Sequence, residues 1–366
     1  MDARLWRYFD PLLLVAMVLL IVYGLAMIYS ATYERNGTGI DPLVYHQATY
    51  AVLGLALFLT LSGLDYHVLS NLAWPLYGFC CASLVVVLII GRVLHGAQRW
   101  IPLGPWEFQP SELAKLCVVL ALTRFLTLHS ENIHQLKVLG LSLLIPAIPT
   151  VLVLLQPDVG TATVYVVCWL ALLFIAGAPL RLFGALVGVA AAAAPLAWAV
   201  MLPYQRDRIL VFLNPQSDPT NAGYNVIQAL TAVGAGEFFG RGYLSGSQSQ
   251  LHFLRVQYAD FIFSVLAEEL GFVGAFFLLL LFALLIFRGL RAAQLSREGF
   301  GRLLSCGVVV LLLYQVVVNV GMNLGLLPVT GIPLPMISYG GSSLLTIMGS
   351  LGILESIVMR HRKFGF

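Results

Sequence analysis

Ten runs of apolar residues divide this chain, at 11–30, 47–63, 75–91, 111–128, 138–155, 160–178, 182–201, 260–288, 303–324 and 340–358. A helix needs about 20 mostly apolar residues to cross the hydrocarbon core of a bilayer, so each run is a candidate membrane span. Composition agrees: 60% of the 366 residues are apolar and 10% are charged, against about 25% charged in a soluble domain. This balance excludes a soluble enzyme, a disordered chain and a coiled coil. The sequence predicts an all-α polytopic membrane protein of about ten transmembrane helices.

An even number of spans puts both termini on one side, and Lys and Arg mark the cytoplasmic flanks of membrane helices. Arg4 and Arg7 precede the first span. Arg360, Arg362 and Lys363 follow the tenth, and Arg288, Arg291, Arg297 and Arg302 lie between the eighth and ninth. Both termini are therefore expected in the cytoplasm. Residues 1–366 read as one transmembrane domain, with residues 202–259 as a large extracytoplasmic loop between the seventh and eighth spans. Within that loop, Val226, Ile227, Leu230 and Val233 recur at helical spacing, which predicts a helix over 223–235 lying on the membrane surface. The first span has no convincing small-residue cleavage site and is expected to be retained. Cys80, Cys81, Cys117, Cys168 and Cys306 all fall in apolar stretches and read as small buried side chains. The histidines lack metal-ligand spacing, and no metal site is assigned.

Charge is concentrated where it is least expected. Arg92, Arg99, Arg206, Arg208, Arg241 and Arg255 all fall in the two outward segments, 92–110 and 202–259, where short loops ordinarily lose Lys and Arg. A single arginine there reads equally as a solvated surface charge or as one that function retains; six together are harder to read as incidental. Asp260, Glu268 and Glu269 open the eighth span ahead of an uncharged stretch, and Asp260 reads either as a helix cap or as a functional carboxylate. Glu112 and Lys115 stand at i and i+3 and can pair on one helix face. Lys115 is then either a neutralised structural ion or a cation for an anionic headgroup. Asp158 can cap the sixth span. The stretch Pro333 to Ser343 joins prolines to small residues and allows close approach of a phosphate or of a neighbouring helix.

Five ordered segments carry a resemblance. Gly96-Ala-Gln-Arg-Trp-Ile-Pro-Leu-Gly104, Phe108-Gln-Pro-Ser-Glu-Leu-Ala-Lys115, Gln156-Pro-Asp-Val-Gly-Thr161, Asp260-Phe-Ile-Phe with Glu268-Glu-Leu-Gly271, and Pro333 to Ser343 are similar to motifs of the SEDS family of shape, elongation, division and sporulation proteins. The similarity runs through nearly the whole chain, and Gly240 to Gln250 resembles the elongation branch more than the division branch. Arg255 to Ala259 departs from the Pro-Glu and His-Thr pattern usual before the family's essential aspartate, whereas Asp260 and the residues after it match.

The resemblance implies a peptidoglycan glycosyltransferase that polymerises lipid II into glycan strands at the outer membrane face during elongation and rod-shape maintenance. Its partners would be a class B penicillin-binding protein, which supplies transpeptidation, and other membrane proteins of the elongation complex. Asp260 is expected to be the catalytic base for inverting attack of an acceptor hydroxyl on the lipid-linked donor. Lys115, Arg99, Arg206 and Arg208 are the expected cations for the leaving pyrophosphate, with Glu112 orienting Lys115. Asp158, Glu268 and Ser338 are further expected substrate contacts. A divalent Mg or Mn ion is admitted beside the pyrophosphate; no other cofactor and no nucleic acid is expected. Two other readings compete: a lipid II flippase, and a non-catalytic scaffold for a partner's helix. A flippase needs polar residues midway through several helices, and spans 11–30, 138–155, 182–201 and 303–324 carry no formal charge at their centres.

Overall fold

The structure is a computed structural model that describes residues 5–33, 40–94, 97–103, 106–218, 222–251, 253 and 256–361. Arg4, Arg255, Arg362 and Lys363, named above for their charge, lie outside the described residues. In chain order the helices are α1 (Pro11–Thr32), α2 (Pro42–Gly63), α3 (Tyr66–Ile90), α4 (Pro110–Leu128), α5 (Leu136–Leu154), α6 (Val159–Ile175) and α7 (Leu180–Val200). Then follow α8 (Pro203–Leu213), α9 (Ala222–Ala235), α10 (Ser247–Gln250), α11 (Ile262–Leu295), α12 (Gly299–Asn323) and α13 (Gly341–Met359). Every predicted span is therefore a helix, and the predicted surface helix is α9. Eight helices are long and apolar enough to cross a membrane. The α6 helix is apolar but shorter, and α4 interrupts its apolar run with Glu112, Lys115 and Arg124.

Several helices begin where an aspartate can satisfy their free amides. Asp10, Asp41, Asp65 and Asp158 occupy the cap positions of α1, α2, α3 and α6 and accept from first-turn amides. In α1 and α2 a proline follows at the first helical position, where its missing N–H costs nothing. These caps explain why α2 and α3 start earlier than their apolar runs.

The interior is built around α13, which is buried along most of its length and packs on α2. Small residues permit that approach: a Cβ on Gly352 would meet the Phe58 carbonyl oxygen at 2.7 Å, and one on Gly54 would meet the Met348 sulfur at 2.3 Å. At one end of the bundle, Asp10 pairs with Arg288 of α11, and the Asp10 amide donates to Glu355 of α13 at 2.8 Å. All three are buried, so the guanidinium is held by an opposite charge where it has no water. By contrast α7 has no buried residue.

Two segments differ from their expected form. Residues 92–108 form an antiparallel sheet of β1 (Arg92–Leu94), β2 (Ala97–Leu103) and β3 (Trp106–Phe108), pairing Arg92 with Trp100 and Ile101 with Phe108. The β-branched and aromatic residues Val93, Trp100, Ile101 and Phe108 favour this conformation. The α11 helix is also longer than predicted, starting at Ile262 rather than Asp260, running to Leu295, and broken at Gly271 (φ 63°, ψ −163°). The break frees backbone groups that the turn over residues 237–242 takes up. Phe272 N donates to Glu237 O at 3.0 Å and Val273 N to Phe238 O at 3.2 Å; Arg241 N donates to Glu268 O and Gly242 N to Glu269 O, each at 3.0 Å. The two strands of backbone cross so closely that a Cβ on Gly271 would lie 2.2 Å from the Gly240 amide nitrogen.

That backbone conformation is essentially open to glycine alone, at a cost of about 1–3 kcal/mol for other residues before any clash. Gly271→Ala should therefore lower the melting temperature of the detergent-purified protein, whereas Gly184→Ala, which meets nothing within 4 Å on α7, should leave it unchanged.

Candidate active site

Asp260 is positioned through the backbone around it. Residues 256–261 form turns leading into α11, and the cap position belongs to Phe261, one residue later than the sequence suggested for Asp260. The Asp260 carbonyl accepts from the side-chain amides of Asn319 at 3.3 Å and Asn323 at 3.1 Å, both on α12. Asn323 Oδ1 in turn accepts from the amide and hydroxyl of Ser264 in the first turn of α11, at 3.2 and 2.6 Å. Asn319 also donates to the Ile332 carbonyl at 2.9 Å. One pair of amides thus ties the Asp260 turn, the start of α11 and the segment after α12 into a single unit.

The other side of the turn is held by Pro333 to Ser343. Ser338 Oγ donates to the Ala259 carbonyl at 2.6 Å and accepts from Leu334 N at 2.9 Å, and Tyr339 N donates to Tyr258 O at 2.9 Å. Gln47 of α2 anchors that segment, donating to Ser338 O at 3.3 Å and accepting from Gly340 N at 3.2 Å. Asp260 itself is half-buried, with Oδ2 4.0 Å from the position a Cβ would take on Gly331. The carboxylate therefore lies over a residue without a side chain. Ser338 thus shapes the turn through the backbone of residue 259.

Glu268, an expected substrate contact, and its neighbour Glu269 are fully buried. Glu268 accepts from Ser247 Oγ at 3.2 Å, Gln248 N at 2.8 Å and Ser249 N at 3.1 Å, so it anchors α10 from below instead of facing an open site. Glu269 accepts from Ser30 Oγ of α1 at 2.5 Å and from Gln250 Nε2 at 3.3 Å. Carboxylates without water need such donors, and these come from residues about twenty positions earlier or from α1.

The expected cations divide into two groups. Lys115 Nζ lies 2.6 Å from Glu112 Oε1 with 1% of its side chain exposed, so the pair is a neutralised ion pair inside the bundle. Arg99 of β2 donates to the carbonyls of Gln156, at 3.1 Å, and Pro157, and lies 3.8 Å from Asp158. Asp158 meanwhile caps α6, accepting from Thr161 N at 3.2 Å and Thr161 Oγ1 at 2.9 Å. Arg206 and Arg208 of α8 are only half-buried. Arg206 donates to Ala199 O at 2.7 Å. Arg208 lines a cavity of about 50 Å³ together with Phe212 and Leu230, closed by Leu327 to Val329.

The segment after α12 brings these parts together. It borders the Arg208 cavity at residues 325–329 and the start of α6 at Thr330, whose carbonyl lies 2.5 Å from a Cβ built on Gly160. It then passes Asp260 at Gly331 and holds the turn at Ser338. At Ser342 it accepts from Gln109 N, at the start of α4, at 2.9 Å. Asn319, Asn323 and Gln47 were missed by reading only formal charges and motifs. Their signal was present: two amides at i and i+4 in an otherwise apolar span. Among the described residues, no group of three or more His, Cys, Asp or Glu converges to hold a metal ion.

Fold and site together define a polytopic membrane protein with a clamped, half-buried carboxylate at the end of its bundle that carries α8 to α10. The family model described as "Cell cycle protein", covering FtsW, RodA and SpoVE, matches residues 11–363, and the chain belongs to this family. It is 41% identical to the peptidoglycan glycosyltransferase MrdB of Escherichia coli K12 over 357 residues, spanning 97% of this chain and 95% of that one. A solved peptidoglycan synthase complex, described as coordinating polymerization and crosslinking, contains a chain that superposes with a TM-score of 0.81 at 34% identity, covering 96% of this chain and 98% of that one. The crystal structure of the rod shape determining protein RodA of Thermus thermophilus gives a TM-score of 0.71 at 33% identity, covering 97% and 98%.

If the α12 amides hold the turn, Asn323→Leu removes one of the two donors to the Asp260 carbonyl and leaves the buried Ser264 amide and hydroxyl without their acceptor, at about 1–3 kcal/mol each. Hydrogen exchange of the amides of residues 258–264 should accelerate by tenfold or more in this variant, while exchange in α2 and α13 stays unchanged.

Proposed function

We propose that this chain joins lipid-linked disaccharides into peptidoglycan glycan strands, with Asp260 as the catalytic base. One observation carries the assignment: the half-buried Asp260 carboxylate lies over Gly331, on the same segment that lines the cavity of Arg208. Similarity to a named peptidoglycan glycosyltransferase over 97% of the chain supports the reaction class.

In this reading Asp260 accepts the proton of the acceptor hydroxyl as its oxygen attacks the anomeric carbon of the donor. The glycosidic bond forms with inversion, and the bond to the polyprenyl pyrophosphate breaks. General-base help of this kind supplies about 10²–10⁴ in rate, so orientation and charge stabilisation must supply the rest. Arg206 and Arg208 are the cations best placed to meet the growing negative charge, because Lys115 and Arg99 are already compensated. Glu112 holds Lys115, and Asp158 holds Arg99, so these four stiffen the wall of the site. Glu268 and Ser338 act in the same indirect way. A divalent Mg or Mn ion would accompany the donor pyrophosphate and offset part of its charge, since the described residues bring no three His, Cys, Asp or Glu together to hold one.

The positive residues between α11 and α12 support a cytoplasmic position for that loop, and with it an Asp260 at the outer face of the bacterial cytoplasmic membrane. A class B penicillin-binding protein is the transpeptidase partner in this reading, and the likeness to a synthase complex that coordinates polymerization with crosslinking supports it. The RodA-type relatives favour a role in elongation, alongside other membrane proteins of that complex.

Purified protein reconstituted with its transpeptidase partner should convert lipid II into long strands, and Asp260→Asn at equal folded amount should lower the rate by at least about 10²-fold. If wild-type protein makes no polymer yet moves labelled lipid II across a vesicle bilayer, the flippase replaces the polymerase. Arg208→Gln should raise KM for lipid II about tenfold, the loss expected for one charge-assisted contact of about 1.4 kcal/mol.

A further inference from the structure

At the end of α11 opposite Asp260, one histidine joins two parts of the chain that lie 231 positions apart. His67, in the first turn of α3, has a carboxylate oxygen at each ring nitrogen: Asp65 Oδ1 lies 2.6 Å from Nδ1, and Glu298 Oε2 lies 2.6 Å from Nε2. A neutral imidazole carries one N–H and one lone pair and can donate to only one of these oxygens, whereas the imidazolium donates to both. Glu298 occupies the cap position of α12, yet its side chain makes no cap bond and faces His67 instead. The His67 side is firmly mounted. Arg360, just after α13, donates to Ser62 O at 3.2 Å and Gly63 O at 2.6 Å, and Ser356 Oγ donates to Leu64 O at 2.5 Å. A second tie reaches the α11–α12 connection through a hydrogen bond between the side chains of Tyr66 and Ser296, with the Tyr66 ring stacked between His67, at 4.2 Å, and Phe300, at 6.5 Å.

We propose that Asp65, His67 and Glu298 form a pH-operated clasp, which fastens the α11–α12 connection to the α2–α3 turn while the ring is charged and loosens it when the ring loses its proton. The direction follows from the donor count. Raising the pH takes one proton from the ring, so a nitrogen lone pair then faces a carboxylate and that contact turns from attraction to repulsion; lowering the pH restores it. Water reaches all three groups, since the side chains of His67, Asp65 and Glu298 are 42%, 50% and 40% exposed. Asp65 and Glu298 are the charges that act on the ring. Arg360 acts on Asp65 and Tyr66, Arg124 of α4 is bonded to Ser70 one turn further along α3 at 2.9 Å, and Arg297 and Arg302, on either side of Glu298, are exposed. Partial burial pushes the Asp65 carboxyl up, but the His67 amide and ring, with Arg360, hold it below the usual carboxylate range, so Asp65 stays an acceptor while the ring titrates. The clasp thus acts on the far end of the helix whose Asn319 and Asn323 hold the Asp260 turn. In the orientation proposed above this end faces the cytoplasm, and cytoplasmic pH would set the clasp.

The test is quench-flow hydrogen exchange of the full chain in detergent, read at the amides of residues 296–302 at about pH 6 and about pH 9 and corrected for the pH dependence of intrinsic exchange. Detergent exposes both ends of the bundle to one pH, so the result does not depend on the orientation or on the role of Asp260. Corrected exchange in wild type should be about threefold faster at the higher pH, a step of the size that solvent-exposed ion pairs supply. His67→Gln cannot charge, and Glu298→Gln keeps the shape of the side chain without its charge; each should exchange at the faster rate at both pH values. Both changes lie at accessible side chains, and exchange in α13, unchanged in either variant, shows that the fold is intact. Equal corrected rates in wild type at the two pH values, or a pH step that persists in folded His67→Gln, overturns the clasp.

Discussion

A backbone group inside a bilayer has no water to bond, so a helix broken at membrane depth persists only where other protein groups take up what the break releases. The break at Gly271 meets this condition through the 237–242 turn, which returns donors to the Glu268 and Glu269 carbonyls and acceptors to the Phe272 and Val273 amides. Much of the site follows from that exchange. The segment of α11 above the break becomes a buried peg whose two glutamates can collect donors from α10 and α1. Because Glu268 is satisfied by residues 247–249, the long connection between α7 and α11 is fastened to the very helix that begins beside Asp260.

The same rule acts one turn higher. A chain that bends at residues 256–261 exposes carbonyls, and three of them, at Tyr258, Ala259 and Asp260, are met by Tyr339, Ser338 and the α12 amides. Each donor comes from a different part of the chain from the carbonyl it satisfies. The backbone that carries the Asp260 carboxylate is therefore fixed from two sides, with Gly331 facing the carboxylate. Such support from rigid elements is what a catalytic group needs to hold its geometry.

Membrane helices were legible in the sequence because the apolar run is itself the physical cause of the span. Their ends were less so: α2 and α3 start at Asp-capped turns outside the apolar runs, and capping becomes visible only when the aspartate is weighed with the residue that follows. The Glu112–Lys115 pair and the Asp158 cap were also readable, being local and set by helical spacing. The burial of Glu268 was not, since its partners at residues 247–249 come from a separate part of the chain. The α8 helix escaped because its charged face, Arg206 to Arg208, hides the periodicity that marks an apolar stripe. Asn319 and Asn323 escaped for the opposite reason. They are uncharged, and a search for formal charge in the spans passes over amides that bind backbone.

Burial sorts the ions of this protein by what they are free to do. Charges taken out of water must be compensated, and Arg288 with Asp10, Lys115 with Glu112 and Arg99 with Asp158 meet that demand internally. Arg206 and Arg208 on α8 stay half-buried, with the exposed Asp207 between them, and Glu107 on β3 is exposed. Residues 325–343 connect them, bordering the Arg208 cavity at one end and bonding to the Glu107 carbonyl at the other, with Gly331 and Ser338 at Asp260 between. Pro328, Pro333 and Pro335 restrict the backbone of that segment. A stiff connection of this kind keeps Arg208, Asp260 and Glu107 in register with one another, so a cation and two carboxylates on three separate elements hold a fixed spacing.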